Sequence, residues 1–107
     1  MATINAVIVD PDGTARKAEI ENSLGAFQAV VGGYIEAVVG SDTTVYVNEE
    51  GLIQDLPFNP SASVFANHFL RRGVRLFGTA LFLGAPDSEG NDTHVRQSVI
   101  DFYELEN

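Results

Sequence analysis

The sequence predicts an α+β fold, a small antiparallel or mixed sheet of about five strands with about three helices packed on it. Strand-type residues alternate around short polar turns in residues 4–21 and again in residues 34–48, which indicates two hairpins. A nearly uninterrupted apolar run over residues 74–83 indicates a central strand. A chain of 107 residues accommodates a single domain with one core. The helices are indicated by apolar residues at helical spacing in residues 24–31, 61–72 and 93–105.

The first hairpin is predicted to join strands at residues 4–10 and 15–21. Apolar residues fill both alternating sets of the first strand, so we expect it to be buried on both faces. The second strand alternates apolar with charged residues, so we expect one of its faces to meet water. Pro11, Asp12 and Gly13 form the turn, because proline presets φ and glycine adopts a positive φ without strain.

The first helix is predicted over residues 24–31. Asn22 or Ser23 is expected to cap its N terminus, because either side chain can accept from an unpaired amide. Gly32 and Gly33 are expected to end it, since glycine most easily takes the left-handed conformation that follows a helix. Its apolar stripe consists of Leu24, Phe27, Val30 and Val31.

The second hairpin is predicted to join strands at residues 34–39 and 43–48. If the apolar residues of both strands share one face, Val39 pairs with Val45 and Ala37 pairs with Val47. This register implies a three-residue loop, Ser41-Asp42-Thr43. It also places Glu36 across from Asn48. The opposite face then carries Tyr34, Glu36, Val38, Thr44, Tyr46 and Asn48.

The second helix has a start signal in Asn59, as the cap, followed by Pro60 at the first helical position. It is predicted to end before Gly73. Gly78 interrupts the strand predicted at residues 74–83, which indicates a bulge or a close backbone approach. The side chains expected in the core are Phe27, Val31, Phe65, Phe69, Leu81 and Phe102.

Composition limits the function. Fifteen acidic and six basic residues give a net charge of -9, which argues against direct nucleic-acid binding, because such binding needs clustered Lys and Arg. Cysteine is absent, which excludes disulfides and suits a reducing cytosol. The longest apolar run is far shorter than the roughly 20 residues of a membrane helix, so we expect a cytoplasmic protein without membrane contact.

Several strings of the sequence resemble a known family. They are VVGGYIEAVV, VYVNEEG, LPFNPSA and GTALFLG, and together they span most of the chain. They resemble a family of small proteins of unknown function from actinobacterial and other Gram-positive bacteriophages and mobile elements. The resemblance implies a phage-type origin and a compact α+β domain, but it implies no activity and no catalytic residue. Residues 61–75 are longer and more basic than the family pattern.

The first candidate site is the face of the second hairpin that lies opposite its apolar residues in the predicted register. Tyr34, Glu36, Tyr46 and Asn48 combine aromatic rings with hydrogen-bonding groups, which is typical of recognition surfaces. Glu49 and Asn59, at the ends of neighbouring elements, extend this ligand- or partner-binding site. The alternative is a solvated outer face of an antiparallel sheet, in which Tyr and Thr are good strand formers.

The second candidate site is a basic cluster formed by His68, Arg71, Arg72 and Arg75. His68 and Arg72 are four residues apart on a helix, so the cluster could hold an anion or a phosphate. The alternative is a set of cations placed at a helix C terminus, where the helix dipole favours them. The two histidines lack ligand-type spacing to other donors, so we expect neither a metal nor a cofactor.

No nucleophile, phosphate loop or cooperating pair of carboxylates is recognisable in the sequence. We therefore expect a non-enzymatic bacteriophage accessory protein that acts by binding in the host bacterial cytoplasm. One version is counter-defence, in which the protein sequesters a host factor or a small nucleotide signal. A homo-oligomer is expected, with the Tyr34 and Tyr46 face buried between copies. The alternatives are an acidic DNA mimic that inhibits a nucleic-acid-binding host protein, and a small hydrolase or transferase with an unrecognised site.

Overall fold

The computed structural model describes residues 2–69 and 73–106, and for Phe69 it describes the backbone only. Within these residues it confirms the predicted fold class, an α+β domain with a five-stranded antiparallel sheet in the order β2-β1-β5-β4-β3. The strands are β1 (Thr3–Val9), β2 (Ala15–Glu21), β3 (Ile35–Val39), β4 (Thr43–Asn48) and β5 (Ala80–Gly84). The helices are α1 (Leu24–Val31), α2 (Pro60–Phe69) and α3 (Gln97–Phe102).

The sheet is covered on both faces. The core on one face packs under α1, and it contains Ile4, Ala6, Ile8, Phe27, Val31, Leu81 and Leu83. The core on the other face packs under α2 and α3, and it contains Val7, Val9, Val45, Val47, Ala62, Phe65, Phe82 and Val99 among others. The apolar residues that fill both alternating sets of β1 therefore serve two cores, as its sequence predicts.

The first hairpin and the first helix match their predictions closely. Gly13 has a φ of 92°, and its N–H donates to the Asp10 carbonyl at 2.9 Å, which closes the turn between β1 and β2. Ser23 caps α1, because its hydroxyl accepts from the Ala26 N–H at 3.2 Å. Gly32 ends the helix in the left-handed conformation, with a φ of 82°.

The register predicted for the second hairpin is wrong by one residue. The structure pairs Val38 with Val45 and Glu36 with Val47, so Glu36 does not lie across from Asn48. As a result, Val45 and Val47 share a face with Glu36, whereas Tyr46 and Asn48 lie on the other face.

The physical reason lies in the position of β4. This strand runs between β3 and β5 and is buried along nearly all of its length, so both of its faces are apolar or closely packed. The apolar residues Val45 and Val47 therefore do not show which face of β4 the apolar residues of β3 must share. The Gly40 N–H donates to the Thr43 carbonyl at 2.8 Å, which leaves a loop of Ser41 and Asp42 rather than three residues.

The close backbone approach predicted at Gly78 is confirmed. Its φ is 79°, and a Cβ atom at this position would lie 2.9 Å from Cδ1 of Leu56. Its N–H donates to the Pro57 carbonyl at 2.7 Å. The chain before it forms only an isolated bridge between Phe58 and Phe77, so β5 begins at Ala80 and is shorter than predicted.

The last helix is also shorter than predicted, because residues 93–95 are not helical and hydrogen-bond to the sheet. The Val95 N–H donates to the Asn5 carbonyl at 2.9 Å, and the Gly84 N–H donates to the Thr93 carbonyl at 3.0 Å. Helix α3 therefore starts only at Gln97. These pairings with β1 and β5 satisfy backbone groups that a longer helix would have left without partners in the sheet.

The predicted core is mostly confirmed. Phe27, Val31, Phe65 and Leu81 are each no more than 4% exposed. Phe102 is 37% exposed, so its predicted burial is wrong. Its ring still contacts the core, because it meets the Phe65 ring edge-on with 5.2 Å between the centroids. The prediction for the Phe69 side chain lies outside the described residues.

Because the buried hydroxyl of Thr44 lacks a partner within the described part of the chain, we expect its replacement by an apolar side chain to stabilise the protein. Thr44 is 1% exposed, and its Oγ1 has no hydrogen-bond partner among the described residues. Because valine has nearly the same shape and keeps the strand preference, Thr44→Val should raise the free energy of unfolding by roughly 1 kcal/mol in urea denaturation. Thr43→Val is the matched control, since the equally buried Thr43 hydroxyl donates to Asp42 at 3.1 Å. An equal gain in both variants would contradict this reason.

Candidate functional site

The structure divides the first predicted site between the two faces of the sheet. Tyr46 lies under α1, with its ring stacked on Phe27 at 5.6 Å between centroids. Its hydroxyl donates to the Asp92 carboxylate at 2.7 Å. Burial, followed by the hydrogen bond and the negative charge of Asp92, raises the pKa of Tyr46 above its usual range. Tyr46 and Glu36 therefore do not form one surface, and the predicted pairing of Tyr46 with Tyr34 on an open face is wrong.

Asn48 is engaged in holding the local backbone. It is 5% exposed, and its amide donates to the Val31 carbonyl at 3.3 Å and to the Gln54 side chain at 3.4 Å. Its side-chain oxygen accepts from the Glu50 N–H at 2.8 Å. The side chain thus connects the end of α1 to the turn after β4, and these contacts use its hydrogen-bonding groups.

Asn59 is buried completely. Its side-chain oxygen accepts from the Ala62 N–H at 3.0 Å, which confirms the predicted cap of α2. Its amide donates to the carbonyls of Val9 and Gly78, both at 2.9 Å. An exposed fraction of 0% leaves no part of this side chain at the surface. Asn59 therefore organises the interior rather than a contact surface.

The remaining predicted residues meet at one end of β3. Glu36, Glu49 and Arg75 line the same cavity of about 160 Å³, which we call the Arg75 pocket. Leu52 and Phe77 also line it. The exposed Tyr34 is tied to this end of the sheet, because its carbonyl accepts from the Glu49 N–H at 2.8 Å. The structure thus places Glu36, Glu49 and Arg75 in one cavity and connects the Tyr34 backbone to Glu49.

Arg75 lies against two aromatic rings. Its guanidinium carbon is 5.0 Å from the centre of the Phe58 ring and 5.8 Å from that of Phe77. Such contacts hold the guanidinium by cation–π attraction and leave its edge available to acceptors. Arg75 therefore has a defined position in the pocket that Glu36 and Glu49 also line.

The rest of the predicted basic cluster is only partly described. Arg71 and Arg72 lie outside the described residues. His68 is an exposed residue in the last turn of α2, a position that the helix dipole favours for a cation. The Arg75 pocket, in contrast, is lined by two carboxylates and one guanidinium, so its own lining does not favour an anion.

Sequence reasoning missed the apolar surface beside the pocket. Leu52 is 71% exposed and the neighbouring Ile53 is 82% exposed, within the turns that follow β4. Phe58, which contacts Arg75, is 39% exposed. A group of large exposed apolar side chains often marks an interaction site, whereas a single exposed apolar residue does not. The available signal in the sequence is the apolar pair itself, which stands between the turn residues Gly51 and Asp55.

Another cavity lies at the opposite edge of the sheet, beside the hairpin of β1 and β2. It has a volume of about 430 Å³ and is lined by Lys17 and His94 among others. Neither residue is a predicted site residue, because they are far apart in the sequence and belong to no motif. Only the return of residues 93–95 to β1 brings them together.

Within residues 2–69 and 73–106, no group of three or more His, Asp or Glu side chains is placed to hold a metal ion. None of the described helices has the length and the apolar character needed to cross a membrane.

Together, these observations define a small α+β domain that carries separate surface cavities, among them the Arg75 pocket near β3 and the cavity beside the β1–β2 hairpin. The family described as "Domain of unknown function (DUF3846)" matches residues 4–106. Because the match covers nearly the entire chain, the protein belongs to the DUF3846 family. No curated protein and no solved structure matches the chain significantly.

Proposed function

We propose that this chain is a non-enzymatic accessory protein that binds a basic segment of another protein at the Arg75 pocket. The observation that carries the proposal is the grouping of exposed apolar side chains, Leu52, Ile53 and Phe58, with the carboxylates of Glu36 and Glu49. Apolar anchors surrounded by charges are the usual anatomy of a protein contact surface. The setting in a bacteriophage is what the sequence resemblance implies, and the role in counter-defence is inferred from that setting and from the basic cluster. In that setting the partner is a host protein.

The surface beside the pocket extends along the edge of the sheet. A shallow depression of about 360 Å³ shares Glu36 with the Arg75 pocket and continues past Ala37, Val38 and Val74. Among the described residues, β3 is the last strand in the sheet order, so this depression lies along an edge strand. An extended segment of a partner can therefore lie beside β3 and place a side chain in each depression.

Charge favours a basic partner over an anionic small molecule. Two carboxylates line the pocket with one guanidinium, and the exposed Glu50 follows Glu49 directly. The chain as a whole carries a net charge of -9, which attracts cationic partners and accelerates their encounter. A nucleotide, whose phosphates carry negative charge, would approach these carboxylates unfavourably. Sequestration of a nucleotide signal would therefore need Arg71 and Arg72, which lie outside the described residues.

The test is capture of a partner from an actinobacterial host lysate, followed by reconstitution with the purified partner. We expect a saturable complex that is weakened about tenfold or more by Leu52→Ser combined with Ile53→Ser, because apolar anchors carry most of the binding energy at such surfaces. Binding should also weaken as salt rises, since the contacts of Glu36 and Glu49 are screened. Calorimetry of the purified pair measures both effects.

Leu24→Ser is the matched control. Leu24 is 57% exposed and lies on α1, against the opposite face of the sheet. Equal binding by both variants would contradict the proposed surface. A wild-type dimer that the double variant converts to a monomer in sedimentation would show instead that the partner is a second copy of the chain. A partner that duplex DNA displaces would support acidic mimicry of DNA.

A further inference from the structure

The cavity beside the β1–β2 hairpin exists because β1 is paired with β5 over only part of its length. The paired residues are Val7 with Phe82, Ile8 with Leu81 and Val9 with Ala80. The start of β1 therefore extends beyond β5, and residues 93–95 lie beside it. Two hydrogen bonds to Asn5 hold them there. The Asn5 N–H donates to Nδ1 of His94 at 3.0 Å, and the Asn5 carbonyl accepts from the Val95 N–H at 2.9 Å.

Gly84, at the end of β5, admits the returning chain. A Cβ atom at this position would collide with Oγ1 of Thr93 and with the carbonyl of His94. The Gly84 N–H also donates to the Thr93 carbonyl at 3.0 Å. Backbone contacts to β1 and β5 therefore hold the wall of the cavity that His94 and Val95 form.

The cavity has the size of a small-molecule site. Its volume of about 430 Å³ lies within the range of roughly 300–1,000 Å³ that is common for such sites. Ala18, Val95 and Ile100 supply apolar lining. A ligand with an apolar body can therefore pack against these side chains.

His94 offers a hydrogen-bond donor to this cavity. Its Nδ1 accepts the Asn5 N–H, so Nδ1 carries no proton in this contact. The ring proton of the neutral side chain is therefore on Nε2. This contact also limits the orientation of the ring, because the Asn5 N–H belongs to a β-strand.

Lys17 supplies the positive charge. Its Nζ donates one proton to the Glu106 carbonyl at 2.6 Å, which positions the ammonium group and leaves two protons for a ligand. Glu19 also lines the cavity, and its carboxylate disfavours a ligand with a second negative charge. The Gln97 amide donates one proton to Asp101 at 2.9 Å, so its second N–H and its side-chain oxygen remain available.

We propose that the cavity binds a small monocarboxylate with an apolar body. The carboxylate accepts from the Lys17 ammonium and from Nε2 of His94, and the body packs against Val95 and Ile100. This site is separate from the Arg75 pocket and goes beyond the function proposed for that pocket. Among the described residues, none lines both cavities.

The test uses benzoate as the probe in an NMR titration of the isotopically labelled protein. We expect saturable shifts at the amides of Lys17, Glu19 and Val95. Benzamide, which has the same shape without the charge, should bind at least about tenfold more weakly, because the charge-assisted bonds are lost. Phthalate should also bind more weakly, since its second carboxylate meets Glu19.

Lys17→Met should weaken benzoate binding about tenfold, and Lys17→Arg should restore part of it, because the charge returns. Arg16→Met is the matched control and should leave binding unchanged. Arg16 is the neighbouring cation on β2, and its guanidinium pairs with Asp10 at 3.0 Å instead of lining the cavity. Absence of saturable shifts, equal binding of benzamide, or unchanged binding by a folded Lys17→Met variant would each overturn the proposal. Leu52→Ser with Ile53→Ser should not affect benzoate, so the two proposals fail separately.

Discussion

Asn59→Ala should lower the free energy of unfolding by roughly 3–7 kcal/mol in urea denaturation. The substitution removes the cap of α2, which is worth about 1 kcal/mol. It also leaves the buried carbonyls of Val9 and Gly78 without their donor, at a cost of about 1–3 kcal/mol each. The loss is large because one side chain joins β1, the chain before β5 and the start of α2.

Asn59→Asp separates the two contributions. Aspartate keeps the cap acceptor but turns an oxygen toward the two carbonyls, so the charged form is strongly disfavoured in the folded state. The pKa of this carboxyl should therefore rise above its ordinary value of about 3.9. A raised pKa in the folded state makes the variant relatively more stable below that ordinary value, with stability lost as the pH rises.

Asn67→Ala is the control for Asn59→Ala. Asn67 is exposed, although its amide also donates to two carbonyls, those of Ser63 and Val74. Water can replace these bonds, so its loss should stay below about 1 kcal/mol. Similar losses at both positions would contradict the importance of burial at Asn59.

The elements that sequence reasoning predicts well are those with local determinants. The turn at Gly13, the Ser23 cap and the Asn59 cap each depend on residues within a few positions of one another. The pattern of β1 also predicts burial on both faces correctly. These features need no knowledge of what packs against them.

The errors arise where distant segments meet. The register of β3 and β4 depends on β5, which covers the other edge of β4 and makes both of its faces suitable for apolar residues. The start of α3 depends on Asn5, whose carbonyl accepts from the Val95 N–H and so binds this segment to β1 instead of the helix. Helical periodicity alone could not reveal either constraint.

The candidate site shows the same division. Separate arguments from the sequence select Glu49 and Arg75 as site residues, and the structure places both in one cavity with Glu36. The exposure of Leu52 could not be predicted, because an apolar residue between two turns is compatible with either burial or contact with a partner. Lys17 and His94 escape sequence reasoning because their proximity depends on the long return of the chain to β1.

Phe65→Ala should cost roughly 3–5 kcal/mol of unfolding free energy, a large share of the roughly 5–15 kcal/mol that is typical of a domain. Phe65 is 3% exposed, and its ring meets the ring of Phe82 edge-on at 5.0 Å. It also stacks on Tyr103 at 6.2 Å, so it connects α2 to β5 and to the end of α3. Removing the ring leaves a cavity between α2, β5 and the end of α3, and these elements cannot move together far enough to fill it.

Phe102→Ala provides the comparison within the same aromatic cluster. The Phe102 ring lies 5.2 Å from that of Phe65 in an edge-on contact, but it is 37% exposed. Its loss removes less buried area and opens the site to water rather than creating a closed cavity. Thermal and urea denaturation should therefore show less than half of the Phe65→Ala loss. Equal losses of unfolding free energy would contradict this expectation, because they would mean that the difference in burial between the two rings does not matter.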